Sequence, residues 1–320
     1  MREPPDDLDE ADLLHVVRRE WDPEVDRLEH LPIGFGAHHW AASVHGRRRL
    51  FVTFDRLGGR HSRHSRQSLE RAYASACALS AAGLEFVLGP LTSHSGTITV
   101  SVPGGALSVG PWITGRSGDE TLAAAAELRQ TADLLSRLHR SPAPGGIPVW
   151  RPLLDASFPD QLDRALSAPW RTGPFGEPAR EALSEHATRV RGWTARYVAL
   201  AGRALVEQEN WVPTHGEPHP GNHLVTGTRR YLVDWESLKL APRERDLDGL
   251  VASEVEWQTA YGAVQPDPRM LELFDLEWRL DEISQYATWF SRRHRGTESD
   301  AVAFEGLVEE LARPDRRQPT

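Results

Sequence analysis

The segment from residue 214 to residue 236, THGEPHPGNHLVTGTRRYLVDWE, constrains the fold of this chain more strongly than any other. It begins with a loop, because the residues around Glu217 exclude a regular helix: Gly216, Pro218 and Pro220. Two short runs of strand-forming residues joined by Gly227 then predict a hairpin. Asp234 ends the second, apolar run, so we expect its carboxylate at the rim of a small sheet.

Three side chains in this segment have the chemistry that phosphoryl transfer requires. Glu217 offers a carboxylate that can orient or deprotonate an attacking hydroxyl group, and Asn222 and Asp234 offer oxygen ligands for Mg²⁺. Each residue alone has an ordinary interpretation, since loop glutamates are usually solvated and Asn and Asp commonly form turns. Their order and spacing together favour a catalytic site.

The motif HGEPHPGN followed by LVDWE resembles the catalytic loop and metal-binding aspartate of the aminoglycoside phosphotransferase family, relatives of the protein kinases. The family pattern is HGDxHxxN with a later aspartate. The resemblance implies that Glu217 replaces the catalytic aspartate and that His215 orients the loop. It also implies that Asn222 and Asp234 are the metal ligands, and that Asp246 is the downstream aspartate that steadies the loop.

The resemblance also implies the partners of such a site. They are Mg²⁺ with ATP or GTP, and a hydroxylated small molecule such as an aminoglycoside or related antibiotic. A neutral nucleoside, sugar or macrolide acceptor stays open, because several subfamilies share the loop. Glu236 is a further candidate in a supporting role, because strand alternation would point its side chain the same way as Asp234.

The whole chain is expected to be an α+β protein with the two-lobed, protein-kinase-like fold that the resemblance implies. Residues 1–110 form the small β-rich N-lobe, residues 111–118 the connector, and residues 119–320 the larger helical C-lobe. The N-lobe prediction depends on LPIGFG and RRRLFVTFD as two strands, a helix from about Ser65 to Ala82, and a hairpin from TITVSV to ALSVGPWI. Asp119 is the expected N-cap of the first C-lobe helix.

Two positions depart from the family pattern. Glu217 is one methylene longer than aspartate, which moves the carboxylate by roughly an ångström, a shift that can cost about 10²-fold in rate. In the strand FVTF, Thr53 stands where relatives carry a lysine on the phosphates. Lys239 is the only lysine of the chain and lies beyond Asp234, so no lysine fills that role.

The phosphates therefore need other partners. Gly34 and Gly36 can bring backbone N–H groups close to a phosphate, and His38 and His39 directly after them can donate hydrogen bonds. Thr53 itself can offer one neutral hydrogen bond. The two glycines and the two histidines are equally compatible with an ordinary turn. Arginines of the nearby basic run are the other candidates, because guanidinium pairs well with phosphate.

Charge is unevenly distributed along the chain. Its net charge is −9, which argues against a general nucleic-acid binder. Residues 47–71 contain eight arginines and two acids, whereas residues 244–282 contain eleven acids and three arginines. Solvated surface is the ordinary interpretation of such runs, but the acidic run also suits a cationic substrate. The acidic, polar start and the lack of a long apolar run predict a cytosolic protein without membrane contact.

Two other functions fit parts of the same sequence. The missing lysine and the altered base are also expected of a catalytically impaired kinase-like protein that binds a nucleotide or another ligand. A metallohydrolase is suggested by four residues that crowd the loop: His215, Glu217, His219 and His223. The spacing differs from H-E-x-x-H, and Gly216 and Pro218 prevent the helix that such a motif needs.

Overall fold

A five-stranded antiparallel sheet dominates the first part of the chain. The computed structural model describes residues 1–5, 7–34, 36–57, 65–118, 125–227, 229–253 and 255–315. Helix α1 spans Glu10–Glu20 and helix α2 spans Arg66–Ala81. The strands are β1 Arg27–Leu31, β2 His38–Val44, β3 Arg47–Arg56, β4 Val100–Val102 and β5 Gly105–Pro111. Their order in the sheet is β1-β2-β3-β5-β4.

The two faces of this sheet carry different side chains, because alternate residues of a strand point to opposite faces. Along β3, Val52 and Phe54 belong to a buried apolar cluster that also contains Leu13 and Val17 of α1. Thr53 and Asp55 lie between them and therefore face the other way. The sheet thus has one apolar face covered by α1 and one polar face that begins at Thr53.

Most predicted elements of this region are confirmed, one prediction is wrong, and two elements were not predicted. Strand β3, helix α2 and the β4–β5 hairpin lie where the sequence placed them. LPIGFG is not a strand, because β1 ends at Leu31 and the chain then turns, with Gly34 and Gly36 at positive φ. HHWAASV was not predicted as a strand but forms β2. Helix α1 was also missed, although Asp9 caps it.

The rest of the chain is mainly helical, with short strands around the motif segment. These strands are β6 Arg116–Ser117, β7 Val212–Thr214, β8 His223–Thr226, β9 Arg229–Leu232 and β10 Lys239–Ala241. The helices are α3 Ala125–His139, α4 Phe158–Leu166, α5 Gly176–Ala204, α6 Asp248–Ala252, α7 Gln258–Tyr261, α8 Pro268–Phe290 and α9 Glu298–Ala312. The predicted hairpin is confirmed as β8–β9, and the N-cap predicted at Asp119 lies outside the described residues.

The chain divides into two compact units. One contains residues 1–149, 212–241 and 249–264, and therefore the main sheet, α3 and the motif segment. The other contains residues 150–211, 242–248 and the chain from residue 265 onward, with α5 packed on α8 and α9. This division differs from the predicted lobes, because α3 and the motif hairpin group with the main sheet. The lobe boundaries at residues 110 and 119 stay a prediction.

Candidate active site

His215 ties the motif loop to the segment that precedes Asp234. Its ring is fully buried, 4.5 Å from the ring of Trp235. Nε2 donates to the carbonyl oxygen of Val233 at 2.9 Å, and Nδ1 accepts from the backbone N–H of Glu217 at 3.2 Å. These two bonds require the neutral tautomer with its proton on Nε2. The loop-orienting role of His215 stays a prediction, and these two bonds are the contacts through which it would act.

Asn222 makes a second connection across the same loop. Its side-chain Nδ2 donates to the carbonyl oxygen of Glu217 at 3.0 Å, which fixes the orientation of the amide group. Its own carbonyl oxygen accepts from the backbone N–H of Val233 at 3.0 Å. Val233 is therefore held on both sides, by His215 and by Asn222. The residue that follows it, Asp234, is placed by these bonds.

Asp234 is exposed and has a backbone φ of +67°. Strand β9 ends at Leu232, so Asp234 lies two residues beyond the strand rather than at its end as predicted. Aspartate is one of the few residues besides glycine that visit this left-handed region. Asp234 and Asn222 both offer side-chain oxygen, which fits Mg²⁺, because this ion prefers oxygen ligands and retains several waters.

Two further side chains support the loop: His223, which the sequence suggested only for the metallohydrolase alternative, and Ser237, which was not predicted. His223 is buried, and Nε2 donates to the carbonyl oxygen of Pro218 at 3.3 Å while Nδ1 accepts from Arg230 at 3.1 Å. Burial, with the nearby Arg230 charge, lowers the pKa of His223 to about 4. Ser237 Oγ donates to Glu217 Oε1 at 3.4 Å. No spacing rule in the sequence singled out either contact.

The structure brings three of the predicted phosphate-binding residues together. His39 Nδ1 lies 3.2 Å from Thr53 Oγ1 on the adjacent strand, and its ring stacks on Phe51 with centroids 5.0 Å apart. A Cβ at Gly34 would lie 3.2 Å from His39 Nε2, so the glycine packs directly against the imidazole. Burial lowers the pKa of His39 to about 4, which keeps the ring neutral near pH 7.

His38 and Gly36 are not part of this group. His38 is buried on the other face of the sheet, 6.2 Å from the ring of Phe54, where Nδ1 donates to the carbonyl oxygen of Glu3 at 3.1 Å. Strand alternation explains why adjacent histidines point to opposite faces. Gly36 has a φ of +104°, and an added Cβ there would contact nothing within 4 Å.

An acidic group that the sequence did not reveal lies beyond Thr53. Asp55, two residues further on the same face of β3, is hydrogen-bonded to Glu236. Burial, with the nearby charges of Glu236 and Asp234, raises the pKa of Asp55 well above its ordinary value. The phenol of Tyr73 on α2 is also buried near this group. The sequence offered one signal for Asp55. Strand periodicity places Asp55 on the same face of β3 as Thr53.

The remaining candidates are Asp246 and the arginines of the basic run. Asp246 is buried in the 3₁₀ helix Arg243–Asp246 of the second compact unit. The arginines of the basic run that the structure describes include several bound to acids or carbonyl groups of the chain: Arg48 to Glu29, Arg49 to Asp22 and Glu24, Arg56 to Asp7, Arg66 to Thr99 and Arg71 to Gly146. Arg60 and Arg63 lie outside the described residues.

The metallohydrolase interpretation is not supported by this arrangement. Both ring nitrogens of His215 and both of His223 already have protein partners. His219 is exposed. Within the described ranges, no three His, Cys, Asp or Glu side chains are grouped so that they could hold a metal ion.

The chain belongs to the phosphotransferase enzyme family, whose sequence profile matches residues 28–274. Protein StrN of Streptomyces griseus is 29% identical to it over 257 residues, which cover 76% of this chain and 77% of that protein.

Solved structures share the fold of this chain. Spectinomycin phosphotransferase APH(9)-Ia, solved with ADP and spectinomycin, superposes with a TM-score of 0.73 at 15% identity, covering 97% of this chain and 96% of that one. Aminoglycoside 2′-phosphotransferase-IIIa, solved as its GDP complex, gives a TM-score of 0.54 at 15% identity over 94% and 97% of the two chains. The predicted α+β, protein-kinase-like fold is confirmed. In the described part of the chain, no helix has the length and apolarity needed to cross a bilayer.

Proposed function

We propose that this protein transfers the γ-phosphate of ATP or GTP to a hydroxyl group of a small molecule. Membership of the phosphotransferase enzyme family supports the reaction class. The observation that carries the proposal is the pair of bonds through which His215 and Asn222 hold Val233, because they fix Glu217, Asn222 and Asp234 as one unit. Phosphoryl transfer depends mainly on such positioning.

In the proposed reaction, Glu217 orients the acceptor hydroxyl and accepts its proton. The acceptor oxygen forms a bond to the γ-phosphorus, while the bond from that phosphorus to the β–γ bridging oxygen breaks and the nucleoside diphosphate leaves. Asn222 Oδ1 and the Asp234 carboxylate would hold Mg²⁺, which neutralises charge on the phosphates when bound. Ser237 fixes one oxygen of Glu217 and thereby limits the positions of the longer side chain.

Nucleotide binding is proposed to be weak. The turn after β1 with His39 and Thr53 offers backbone N–H groups and neutral hydrogen bonds to the phosphates, but no lysine charge. Charge-assisted hydrogen bonds are roughly twice as strong as neutral ones. Asp55 and Glu236 nearby add acidic groups. We therefore expect measurable Mg²⁺–nucleotide binding with low affinity.

An aminoglycoside or related antibiotic is the proposed acceptor class. The similarity to a phosphotransferase solved with spectinomycin supports it. The acidic run supports it less than the sequence suggested, because several of its acids bind groups of the chain: Glu244 the backbone of Asp267, Glu272 the side chain of Arg196, Asp275 that of Arg313, and Glu277 those of Trp150 and Tyr197. A neutral hydroxylated acceptor is the alternative within the same reaction.

A catalytically impaired, kinase-like binding protein is the second candidate function. Two features favour it. Thr53 stands where relatives carry a lysine, and Asp55 and Glu236 form an acidic contact close to it. Both make the site less positive for a triphosphate. It predicts nucleotide or ligand binding without phosphoryl transfer. The intact set of Glu217, Asn222 and Asp234 favours the enzyme.

The deciding experiment incubates the protein with Mg²⁺ and ATP or GTP and a panel of antibiotics, sugars and nucleosides. Mass spectrometry should detect an acceptor that gains one phosphoryl group. Glu217→Gln is the catalytic control, because it keeps the shape but cannot accept the proton, and we expect turnover to fall by about 10²–10⁴-fold with nucleotide binding retained. Unchanged turnover in Glu217→Gln would remove this residue from the mechanism, and binding without any transfer would favour the second candidate.

A further inference from the structure

Arg230 on β9 contacts three side chains with three different nitrogen atoms. Its Nη1 donates to Nδ1 of His223 at 3.1 Å, and its Nε donates to the side-chain oxygen of Gln130 at 3.1 Å. Its Nη2 forms an ion pair with Oε1 of Glu127 at 3.4 Å, and only 10% of the Arg230 side chain is exposed. Because the guanidinium group is planar and its donors have a fixed arrangement, these contacts fix the orientation of the whole group.

Two of the three contacts join Arg230 to helix α3. Glu127 and Gln130 both belong to this helix, and Glu127 also accepts from Arg116 of β6 at 2.7 Å. The side chain of Glu127 is 16% exposed, so its contacts with the two arginines are largely shielded from bulk water. Such pairs are worth more than fully exposed ones. The position of the Arg230 guanidinium group is therefore set by α3.

The third contact leads to the motif loop. His223 is buried, and its Nε2 donates to the carbonyl oxygen of Pro218 at 3.3 Å. Because arginine has donors only, Nδ1 of His223 must be the acceptor on the side of Arg230. Pro218 directly follows Glu217, the proposed base. Arg230 therefore reaches the residue next to Glu217 through a single histidine.

We propose that Arg230 is a positioning residue, which transmits the position of α3 through His223 to the loop that carries Glu217. Arg230 contacts neither substrate nor metal in this proposal. It limits the movement of the loop, so that the Glu217 carboxylate stays within reach of the acceptor hydroxyl. Its effect on turnover rests on the proposed function, whereas its effect on the loop does not.

An alternative role for Arg230 is to attract the anionic nucleotide by its charge. The two roles predict different kinetics. Loss of attraction raises KM for the Mg²⁺–nucleotide, and lysine repairs it because the charge returns. Loss of positioning lowers kcat, and lysine repairs it poorly because a single ammonium group cannot replace three separate nitrogen atoms.

The kinetic test compares Arg230→Met with Arg230→Lys. Methionine keeps an unbranched stem without donors, so kcat should fall at least about tenfold while KM for the Mg²⁺–nucleotide stays within about threefold of wild type. In Arg230→Lys we expect kcat to stay at least about fivefold below wild type. Wild-type kcat in Arg230→Met, or a raised KM that lysine restores, would overturn the proposal.

Arg229→Met is the matched control. Arg229 precedes Arg230 on the same strand, and its exposed side chain points to the other face of the hairpin. This substitution removes the same charge and the same donors, so kcat should stay at the wild-type value. If Arg229→Met lowers kcat as much as Arg230→Met, the effect arises from charge or from the hairpin as a whole, and the proposal fails.

A double-mutant cycle on kcat tests the route through His223. In His223→Gln, the glutamine amide can still donate to Pro218 but offers no acceptor at the position of Nδ1, so the link to Arg230 is broken. The double variant with Arg230→Met should then be no slower than the slower single variant. Losses that multiply in the double variant would show that Arg230 does not act through His223.

A second measurement needs no activity. Hydrogen exchange followed by mass spectrometry, without nucleotide or Mg²⁺, should be about tenfold faster for residues 215–223 in Arg230→Met and unchanged for α2. In Arg229→Met both segments should exchange as in wild type. Unchanged exchange of the loop in Arg230→Met would overturn the proposal. Faster exchange of the loop together with no phosphoryl transfer by wild type would support the positioning of the loop and refute the proposed function.

Discussion

At the scale of single residues, the side chains of the motif act mainly on the backbone. His215 and Asn222 both bind Val233, and neither bond involves a reacting group. Their common effect is to fix the residue that precedes Asp234, whose backbone φ of +67° is left-handed. Backbone strain of this kind costs of order 1–3 kcal/mol and persists only where neighbouring contacts enforce it. The two bonds to Val233 and the positive φ of Asp234 therefore indicate that the placement of Asp234 is important for the candidate site.

Asp234→Asn tests the metal role of this carboxylate. The substitution keeps the size of the side chain but removes its charge, so we expect Mg²⁺-dependent nucleotide binding to weaken by at least about tenfold. Nucleotide titrations with and without Mg²⁺ measure the difference. Asp133→Asn on the exposed surface of α3 is the matched control and should behave as wild type. An equal dependence on Mg²⁺ in Asp234→Asn and wild type would contradict the prediction.

Thr53→Lys tests the position that lacks the family's lysine. A lysine here would add a point charge for the phosphates. We expect Mg²⁺–nucleotide binding to tighten by about tenfold. Ser101→Lys adds the same charge at an exposed position of β4 and should have little effect. If Thr53→Lys folds but leaves the affinity unchanged, Thr53 does not face the phosphates.

At the scale of elements, Gly118 lets the segment after β6 pass directly over the motif loop. Its backbone N–H donates to the carbonyl oxygen of His223 at 3.1 Å, and a Cβ at this position would collide with the carbonyl oxygen of Pro220. Gly118→Ala should therefore shift the loop that carries Glu217, and a displacement of about an ångström can cost about 10²-fold in rate. Gly110→Ala is the control, because a Cβ there meets nothing within 4 Å.

Turnover and the unfolding midpoint together decide this prediction. We expect Gly118→Ala to lower both and Gly110→Ala to lower neither by a comparable amount. Full turnover in a folded Gly118→Ala variant would mean that the loop does not depend on this close approach.

The elements that the sequence predicted are those with strong local periodicity. Helix α2, strand β3 and the β8–β9 hairpin all have apolar residues at the spacing of their type, and all are confirmed. Strand β2 was missed because HHWAASV contains two histidines and two alanines, and its burial comes from pairing with β1 and β3. The order and spacing of the motif residues were readable, but the contacts between them were not.

Long-range contacts explain what the sequence could not provide at the candidate site. Asp55 and Glu236 are far apart in the chain and meet only in the folded unit. No local pattern marks a buried carboxyl group that bonds to another. For His38 and His39 the local pattern was misleading. Two adjacent histidines suggested two equivalent ligands, but their side chains lie on opposite faces of the sheet.

At the scale of the molecule, three buried histidines of one compact unit couple folding to pH. Burial is the main cause that lowers the pKa of His38, His39 and His223 to about 4, from an ordinary value of 6.5. In the unfolded chain each would take up a proton as the pH falls below 6.5, whereas in the folded protein each stays neutral until about 4. The unfolded state therefore binds more protons in this window, and stability falls as the pH falls.

Asp55 acts with the opposite sign. Its pKa is raised in the folded protein, mainly by burial, so the folded state holds a proton that the unfolded chain has already released. Its contribution to stability is fully present at low pH and is lost as the pH rises through its folded pKa. The dependence of stability on pH combines the two effects. The contribution of one histidine must therefore be measured by substituting that histidine alone.

The substitution His223→Gln isolates the contribution of one buried histidine to the pH dependence of stability. Each buried histidine should remove about 1–2 kcal/mol of unfolding free energy between about pH 7.5 and about pH 5, because one pKa unit corresponds to about 1.4 kcal/mol. Urea unfolding at these two pH values should show a smaller loss in His223→Gln than in wild type, even if the variant is less stable at both. His45→Gln, at a side chain that is 88% exposed, is the control and should keep the wild-type loss. An equal loss in His223→Gln and wild type would mean that His223 is charged in the folded protein and that Arg230 does not donate to its Nδ1.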